Sequence, residues 1–236
     1  RVLFRSFALI SLTAAGCLDV TFKRYSRKTR SRGVYVFACG LTWCAVQAVV
    51  FSLDGRAPVF DSTNVTYGVI AGTLVVAANI ILIEALTHLD ISLGATIYRL
   101  NTIGVVILSF VFLSEDMGVT KILGVGLGVF SILLLYGGAP HVASSRVARL
   151  FIWAAVLASL CRAIFGVVSK AALQDGADAD TLMLFAALSW VVGGLLYAAI
   201  REHPFRITRQ KIGYGLVSGL LLATVANALI QALKTG

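Results

Sequence analysis

Apolar residues run through this chain in blocks of one recurring length. Residues 33–53, 62–83, 181–200 and 212–233 hold no Asp, Glu, Lys or Arg. Each block is near the ~20 residues that a helix needs to cross the hydrocarbon core of a bilayer. Windows of about 19 residues predict eight helices, at 2–22, 33–53, 66–87, 91–113, 119–137, 150–172, 181–200 and 212–233. Short polar segments separate them, among them "KRYSRKTRSR", "DGRAPVFDSTN", "SEDMG" and "REHPFRITRQK". The pattern predicts an all-α integral membrane protein, a polytopic helical bundle whose first partner is the lipid bilayer.

Composition strengthens that reading. The chain is 58% hydrophobic and only 13% charged, against roughly 25% charged in soluble domains, and its mean hydropathy is +0.91. The net charge of +9 does not call for nucleic acid, because the basic residues sit in short loops, as the orientation rule for membrane proteins has them. The loops after spans one, three, five and seven carry twelve Lys and Arg against two acidic residues, Asp90 and Glu202. The opposite side carries six basic and seven acidic residues. This bias predicts a cytoplasmic first loop in a multi-pass protein of the cell or plasma membrane. "NVT" at 64–66 is a glycosylation sequon at the membrane surface, read here as a chance occurrence. Cys17, Cys39, Cys44 and Cys161 fall inside spans without CxxC spacing, which fits small packing residues better than disulfides or metal ligands.

A shift of 147 residues lays "YGVIAGTLVVAANIILIEAL" (67–86) over "YGLVSGLLLATVANALIQAL" (214–233) with eight identities in twenty positions. The same shift puts Lys170 on Lys23, Val167 on Val20 and Gln231 on Glu84. A repeat unit of five crossings is odd, so a second copy enters the membrane upside down, as in many secondary transporters. Under that arithmetic the chain is expected to hold eight helices of ten, the second repeat being truncated.

The stretch 85–138, "ALTHLDISLGATIYRLNTIGVVILSFVFLSEDMGVTKILGVGLGVFSILLLYGG", is similar to EamA-type members of the drug/metabolite transporter superfamily. The features that carry the resemblance are Ala85–Leu86 closing span three, Ser92, Gly94 and Ala95 opening span four, Glu115 ending it, and Gly124, Gly126 and Gly128 in span five. Lys23 and Lys170 resemble the lysine that often closes the first span of each half. The chain departs from its relatives at Thr102, where many carry proline, at Ala15–Gly16, where Trp-Gly is common, and at Glu84, where an aromatic residue is common. The resemblance implies a first EamA-like repeat at 1–138, a linker at 139–149 and an incomplete second repeat at 150–236. It implies a transporter of small polar metabolites such as amino acids, with export the expected direction and nucleotide sugars the alternative cargo.

The intramembrane polar residues are the candidates for that work. An arginine at bilayer depth faces a polar cavity or a partner charge. Arg99 either receives an anionic substrate group, which a guanidinium fork suits, or forms a structural ion pair with Glu84. Tyr98, Asn101 and Thr102 accompany it, and Asn79 and Asn227 are further candidates, either as substrate contacts lining the cavity or as groups that hydrogen-bond between helices. Glu84 either couples transport to protons through a pKa raised by burial or pairs with Arg99 or Lys23. Asp19 and Lys23 are four apart and can pair on one helix. Arg162 needs a partner across helices, with Asp19 a candidate. Gly124 and Gly128 form a GxxxG face expected to pack against another helix, Trp43 reads as packing, and Glu115 caps span four. His88, His141 and His203 lie in three separate loops, so a membrane-embedded enzyme is disfavoured, and no cofactor or metal is called for. A homodimer is one way to complete a cavity that the truncation leaves open; a non-transporting fragment is the other reading.

Overall fold

The computed structural model describes residues 2–26, 31–89, 91–114, 117–137, 146–202 and 208–235. Among them lie nine α-helices: α1 (Val2–Ser26), α2 (Arg32–Asp54), α3 (Ser62–His88), α4 (Ile91–Arg99), α5 (Asn101–Leu113), α6 (Val119–Gly137), α7 (Arg146–Gln174), α8 (Ala179–Arg201) and α9 (Arg209–Thr235). Seven of the helical stretches are long and apolar enough to cross a membrane. Glu115, Asp90, His141, His203 and residues 139–145 of the expected linker lie outside the described residues.

The helix boundaries obey the repeat. Adding 147 to α2 (Arg32–Asp54) gives 179–201, the bounds of α8, and adding it to Ser62, the start of α3, gives 209, the start of α9. The N-cap residues correspond as well. Ser31 accepts a hydrogen bond from the Val34 amide at the head of α2. Asp178, its counterpart, accepts one from the Thr181 amide at the head of α8. Both supply an acceptor to the orphaned amides of a first turn.

The chain forms two compact units, Arg1–Val76 with Val168–Gly236, and Ala77–Val167. In the first, α2 and α8 pack antiparallel at very short range. A Cβ on Gly33 would meet the Ala198 backbone nitrogen at 2.5 Å, and one on Gly40 would meet that of Val191 at 2.6 Å. Gly194 lies against the backbone of Phe37 in the same register. Trp43 and its counterpart Trp190 are fully buried and meet edge to face, ring centroids 6.5 Å apart. Trp43 is therefore a packing residue.

The neighbouring contacts come in matched pairs. Gly68 of α3 abuts Phe185 of α8, and its counterpart Gly215 of α9 abuts Ala38 of α2, the counterpart of Phe185. Gly72 abuts Ser189, and its counterpart Gly219 abuts Thr42, the counterpart of Ser189. Such reciprocity is what a pseudo-two-fold axis between inverted copies produces. An antiparallel α2–α8 pair also requires an even number of crossings between them. The intervening α3, α4–α5, α6 and α7 supply four only if α6 crosses, although its apolar stretch Val119–Ser131 is short. Helix α1 joins α9 through Ala14 and Ala15 against Val225, and the Ser11 hydroxyl donates to the Val225 carbonyl at 3.0 Å.

Two expectations change. The fourth span is not one helix: it breaks at Leu100, whose φ of −56° and ψ of −18° are 3₁₀ values. Its amide donates to Ile97 O at 3.1 Å before Gly104 N to Leu100 O restores the α-helical step. The glycines of α6 do not form the expected seam. A Cβ on Gly124 would meet nothing within 4 Å, and one on Gly128 only the tip of Ile103 at 3.4 Å. The GxxxG pairs in use are Gly68/Gly72 and Gly215/Gly219. Asn64 of the sequon is 1% exposed, and its side-chain oxygen accepts from the Asp178 amide at 2.8 Å, so it is a joint and no surface acceptor for a glycan.

Replacing Gly219 with leucine drives a side chain into Thr42 and is expected to destabilise the protein by about 1–3 kcal/mol. Gly124→Leu is expected to stay within about 0.5 kcal/mol of the parent. Denaturant unfolding in detergent micelles checks both.

Candidate functional site

Seven of the sequence-derived candidates fall in the unit Ala77–Val167: Asn79, Glu84, Tyr98, Arg99, Asn101, Thr102 and Arg162. Its packing fixes where they sit. Ala85, Leu89, Ile97 and Ala155 form a buried core, with Leu93, Leu100, Phe151 and Ile152 against it. Ile97 thus anchors α4 on α3 and α7. Gly104 and Gly166 let α5 approach α7, since Cβ atoms there would meet Ala163 at 2.8 Å and Val105 at 2.9 Å.

The polar residues gather where the fourth span breaks. Tyr98 is buried, Arg99 and Asn101 are half-buried and Thr102 is exposed. Arg99 is the basic residue in the last turn of α4, where the partial negative charge of the helix end favours a cation. Asn101 and Thr102 open α5, and the Thr102 hydroxyl donates to the Asn101 side-chain oxygen at 3.2 Å. The 3₁₀ step at Leu100 thus falls between two polar positions, Arg99 and Asn101, of an otherwise apolar span. Mid-helix 3₁₀ segments often mark hinges or functional sites.

Asn79 is buried and Glu84 half-buried on α3, one and a half turns apart. The Glu84 carbonyl accepts from the Thr87 hydroxyl at 2.6 Å. His88, one turn further on, stacks on Phe151 with ring centroids 3.8 Å apart. Arg162 lies over the Phe165 ring at 4.9 Å, a cation–π contact that sequence reading did not foresee.

The other three candidates belong to the unit formed by Arg1–Val76 and Val168–Gly236. Asp19 and Lys23 are half-buried on α1. Asn227 of α9 donates through Nδ2 to the side-chain oxygen of Gln47 at 2.9 Å, and Gln47 in turn donates through Nε2 to the Asp180 carbonyl at 3.2 Å. Gln47 is fully buried in α2. Sequence reading passed over it; the available signal was an uncharged polar residue inside a span that otherwise reads as lipid-compatible.

The ends of the α2–α8 pair are tied by charge. At one end Arg56 bonds Asp54 at 2.6 Å and Asp180 at 2.7 Å, with Asp178 at 3.7 Å. These hydrogen bonds, to Asp54 first and then Asp180, push the Arg56 guanidinium up from its usual range. The Val59 amide donates to the Thr181 hydroxyl at 3.1 Å, so the α2–α3 loop is strapped across the head of α8. At the other end Glu202, just past α8, accepts from Ser31, from the Arg32 amide and from the Gly33 amide, capping α2 from outside. Among the described residues no group of three or more His, Cys, Asp or Glu is placed to hold a metal ion, and the four cysteines are unbridged.

Comparison with known proteins adds two findings. Residues 5–137 match the family model described as the EamA-like transporter family. A solved structure described as a crystal structure of a protein is similar in fold, with a TM-score of 0.71 and 14% identity over 97% of this chain and 78% of the other. No curated protein matches the chain.

Arg56→Gln removes the strap across α8. Its melting temperature is expected to fall below that of the parent at low ionic strength, and the gap to narrow in high salt, because exposed ion pairs are screened. Thermal unfolding in detergent at two salt concentrations reads this out.

Proposed function

The chain belongs to the EamA-like transporter family, within the drug/metabolite transporter superfamily, and from that premise we propose that it is a secondary transporter working by alternating access. It is a multi-pass membrane protein. The proposed cargo is a small polar metabolite, an amino acid or related compound, moved outward. The proposed division is a first repeat at 1–138, a linker at 139–149 and a second repeat at 150–236, with the first loop cytoplasmic on the basis of its charge.

One observation carries this reading: the polar break in the fourth span, where Arg99 ends α4 and Asn101 and Thr102 begin α5. Discontinuous helices with polar residues at the break are how inverted-repeat transporters build substrate sites inside the bilayer. A guanidinium there offers two parallel donors to a carboxylate, which suits an amino acid by its acid end. Tyr98, Asn79 and Glu84 supply further polar contacts within the same unit, and Asn227 is a separate candidate in the other unit. Glu84 also stands as a coupling or ion-pair group, with Asp19, Lys23 and Arg162 as charged residues that hold or adjust the bundle. The reading assigns no chemistry beyond movement of the cargo, and no cofactor.

Arg99→Gln is expected to abolish flux of amino acids in proteoliposomes while folded yield is retained, and Arg99→Lys to restore part of it. Retained flux in Arg99→Gln contradicts the assignment. A collapse in folded yield instead identifies Arg99 as half of a structural ion pair.

A further inference from the structure

The orientation of two amides in the Arg1–Val76/Val168–Gly236 unit follows from one backbone carbonyl. The carbonyl of Asp180 can only accept, so the Gln47 group bonded to it must be the Nε2 donor. That turns the Gln47 oxygen toward α9, where it accepts from Asn227 Nδ2. Asn227 has then committed its donor end inward, and its Oδ1 is left as an acceptor without a protein partner among the described residues. Neither amide can flip without placing two donors or two acceptors face to face in a buried setting, where an unmade hydrogen bond is costly.

Position on the helix says where that oxygen is presented. Leu216, Val217, Leu220 and Thr224 are exposed and mark one stripe of α9. At helical spacing Asn227 and Gln231, both half-buried, continue it. The stripe is therefore apolar toward its N-terminal end and polar toward its C-terminal end. Polar side chains at membrane depth face water-filled or protein-lined space rather than lipid. Asn227 lies within the apolar stretch Arg209–Leu233 that is long enough to cross a membrane. In the repeat-related helix the same position is Ile80, so this polarity belongs to one copy only.

We propose that Gln47 is a positioning residue that locks the Asn227 amide with its oxygen outward, making Asn227 a subsite for a hydrogen-bond donor on the cargo, an ammonium or hydroxyl group. The inference rests on the cargo reading above and narrows it: the transported molecule carries a hydrogen-bond donor. Gln47→Leu lets the amide turn and present its own donors, which an ammonium cannot use. Gln47→Glu preserves the relay, because a buried carboxyl is driven toward its neutral form. Its hydroxyl then donates to Asp180 and its other oxygen accepts from Asn227.

The test is counterflow in proteoliposomes with radiolabelled L-leucine and L-phenylalanine. The competitors are 4-methylpentanoate and 3-phenylpropanoate, which keep the acid and the side chain but lack the ammonium group. The parent is expected to prefer the amino acids. In Asn227→Leu and Gln47→Leu that preference is expected to fall about tenfold or more, as for a lost hydrogen bond to a charged group. The loss is expected in KM rather than in maximal rate, and Gln47→Glu is expected to keep the preference. Undiminished preference in Asn227→Leu or Gln47→Leu overturns the proposal while leaving the cargo reading intact. Absence of amino-acid movement in the parent overturns the cargo reading, and this subsite assignment with it.

Discussion

Everything in the Arg1–Val76/Val168–Gly236 unit depends on how closely α2 and α8 approach. Lipid tails are as apolar as leucine, so helices in a bilayer gain little by hiding apolar surface from one another. What holds them is dense packing, and density requires small residues at the crossing. Gly33, Gly40 and Gly194 supply it: a Cβ at any of them would collide with the backbone of the partner helix. Trp43 and Trp190 then fill the middle of the pair. Because these two tryptophans are repeat counterparts and touch each other, the pseudo-two-fold axis passes between them. The remaining contacts, α3 on α8 and α9 on α2, follow from the same operation applied to Gly68, Gly72, Gly215 and Gly219.

Symmetry also shows where the two copies have parted. Gln47 of α2 bonds the Asp180 carbonyl, whereas its counterpart is Gly194, whose missing side chain leaves room for the backbone of α2 to come close. Phe22, Tyr25, Tyr35 and Tyr214 form a buried ring cluster, Tyr25 stacking on Tyr35 with centroids 4.0 Å apart. The positions equivalent to Phe22, Tyr25 and Tyr35 are Ser169, Ala172 and Leu182. Glu84 corresponds to Gln231 and Ile80 to Asn227. Gly68, Gly72 and Trp43 recur as Gly215, Gly219 and Trp190, whereas Gly33, Gly40 and Gly194 correspond to Asp180, Ala187 and Gln47.

Much of this was legible in the sequence because bilayer thickness leaves few choices. Uncharged blocks of spanning length located the helices, and the shift of 147 anticipated the bounds of α8 and the start of α9 once α2 and α3 were known. What the sequence could not say was which small residues meet. The motif GxxxG occurs at Gly68/Gly72, Gly124/Gly128 and Gly215/Gly219. Only its recurrence under the repeat distinguished the two copies in use from the one in α6 that faces open space. The break at Leu100 was hidden for a different reason. Arg99, Asn101 and Thr102 were conspicuous as polar residues, but hydropathy does not register the backbone step between them. Gln47 escaped because its role depends on a carbonyl 133 residues away. The charged candidates were found as residues; the grouping of Glu84, Arg99 and Arg162 in the unit Ala77–Val167, and of Asp19 and Lys23 in the other, came only with the fold.

The central claim is that α2 and α8 are equivalent helices inserted in opposite directions. Cysteines placed singly at Ser31 and at its counterpart Asp178, in a background without the four native cysteines, test it most directly. An impermeant maleimide applied to membranes of known sidedness should label one of them from one side only and the other from the opposite side only. Labelling of both from the same side would contradict the inverted repeat and the crossing of the membrane by α6 that it requires.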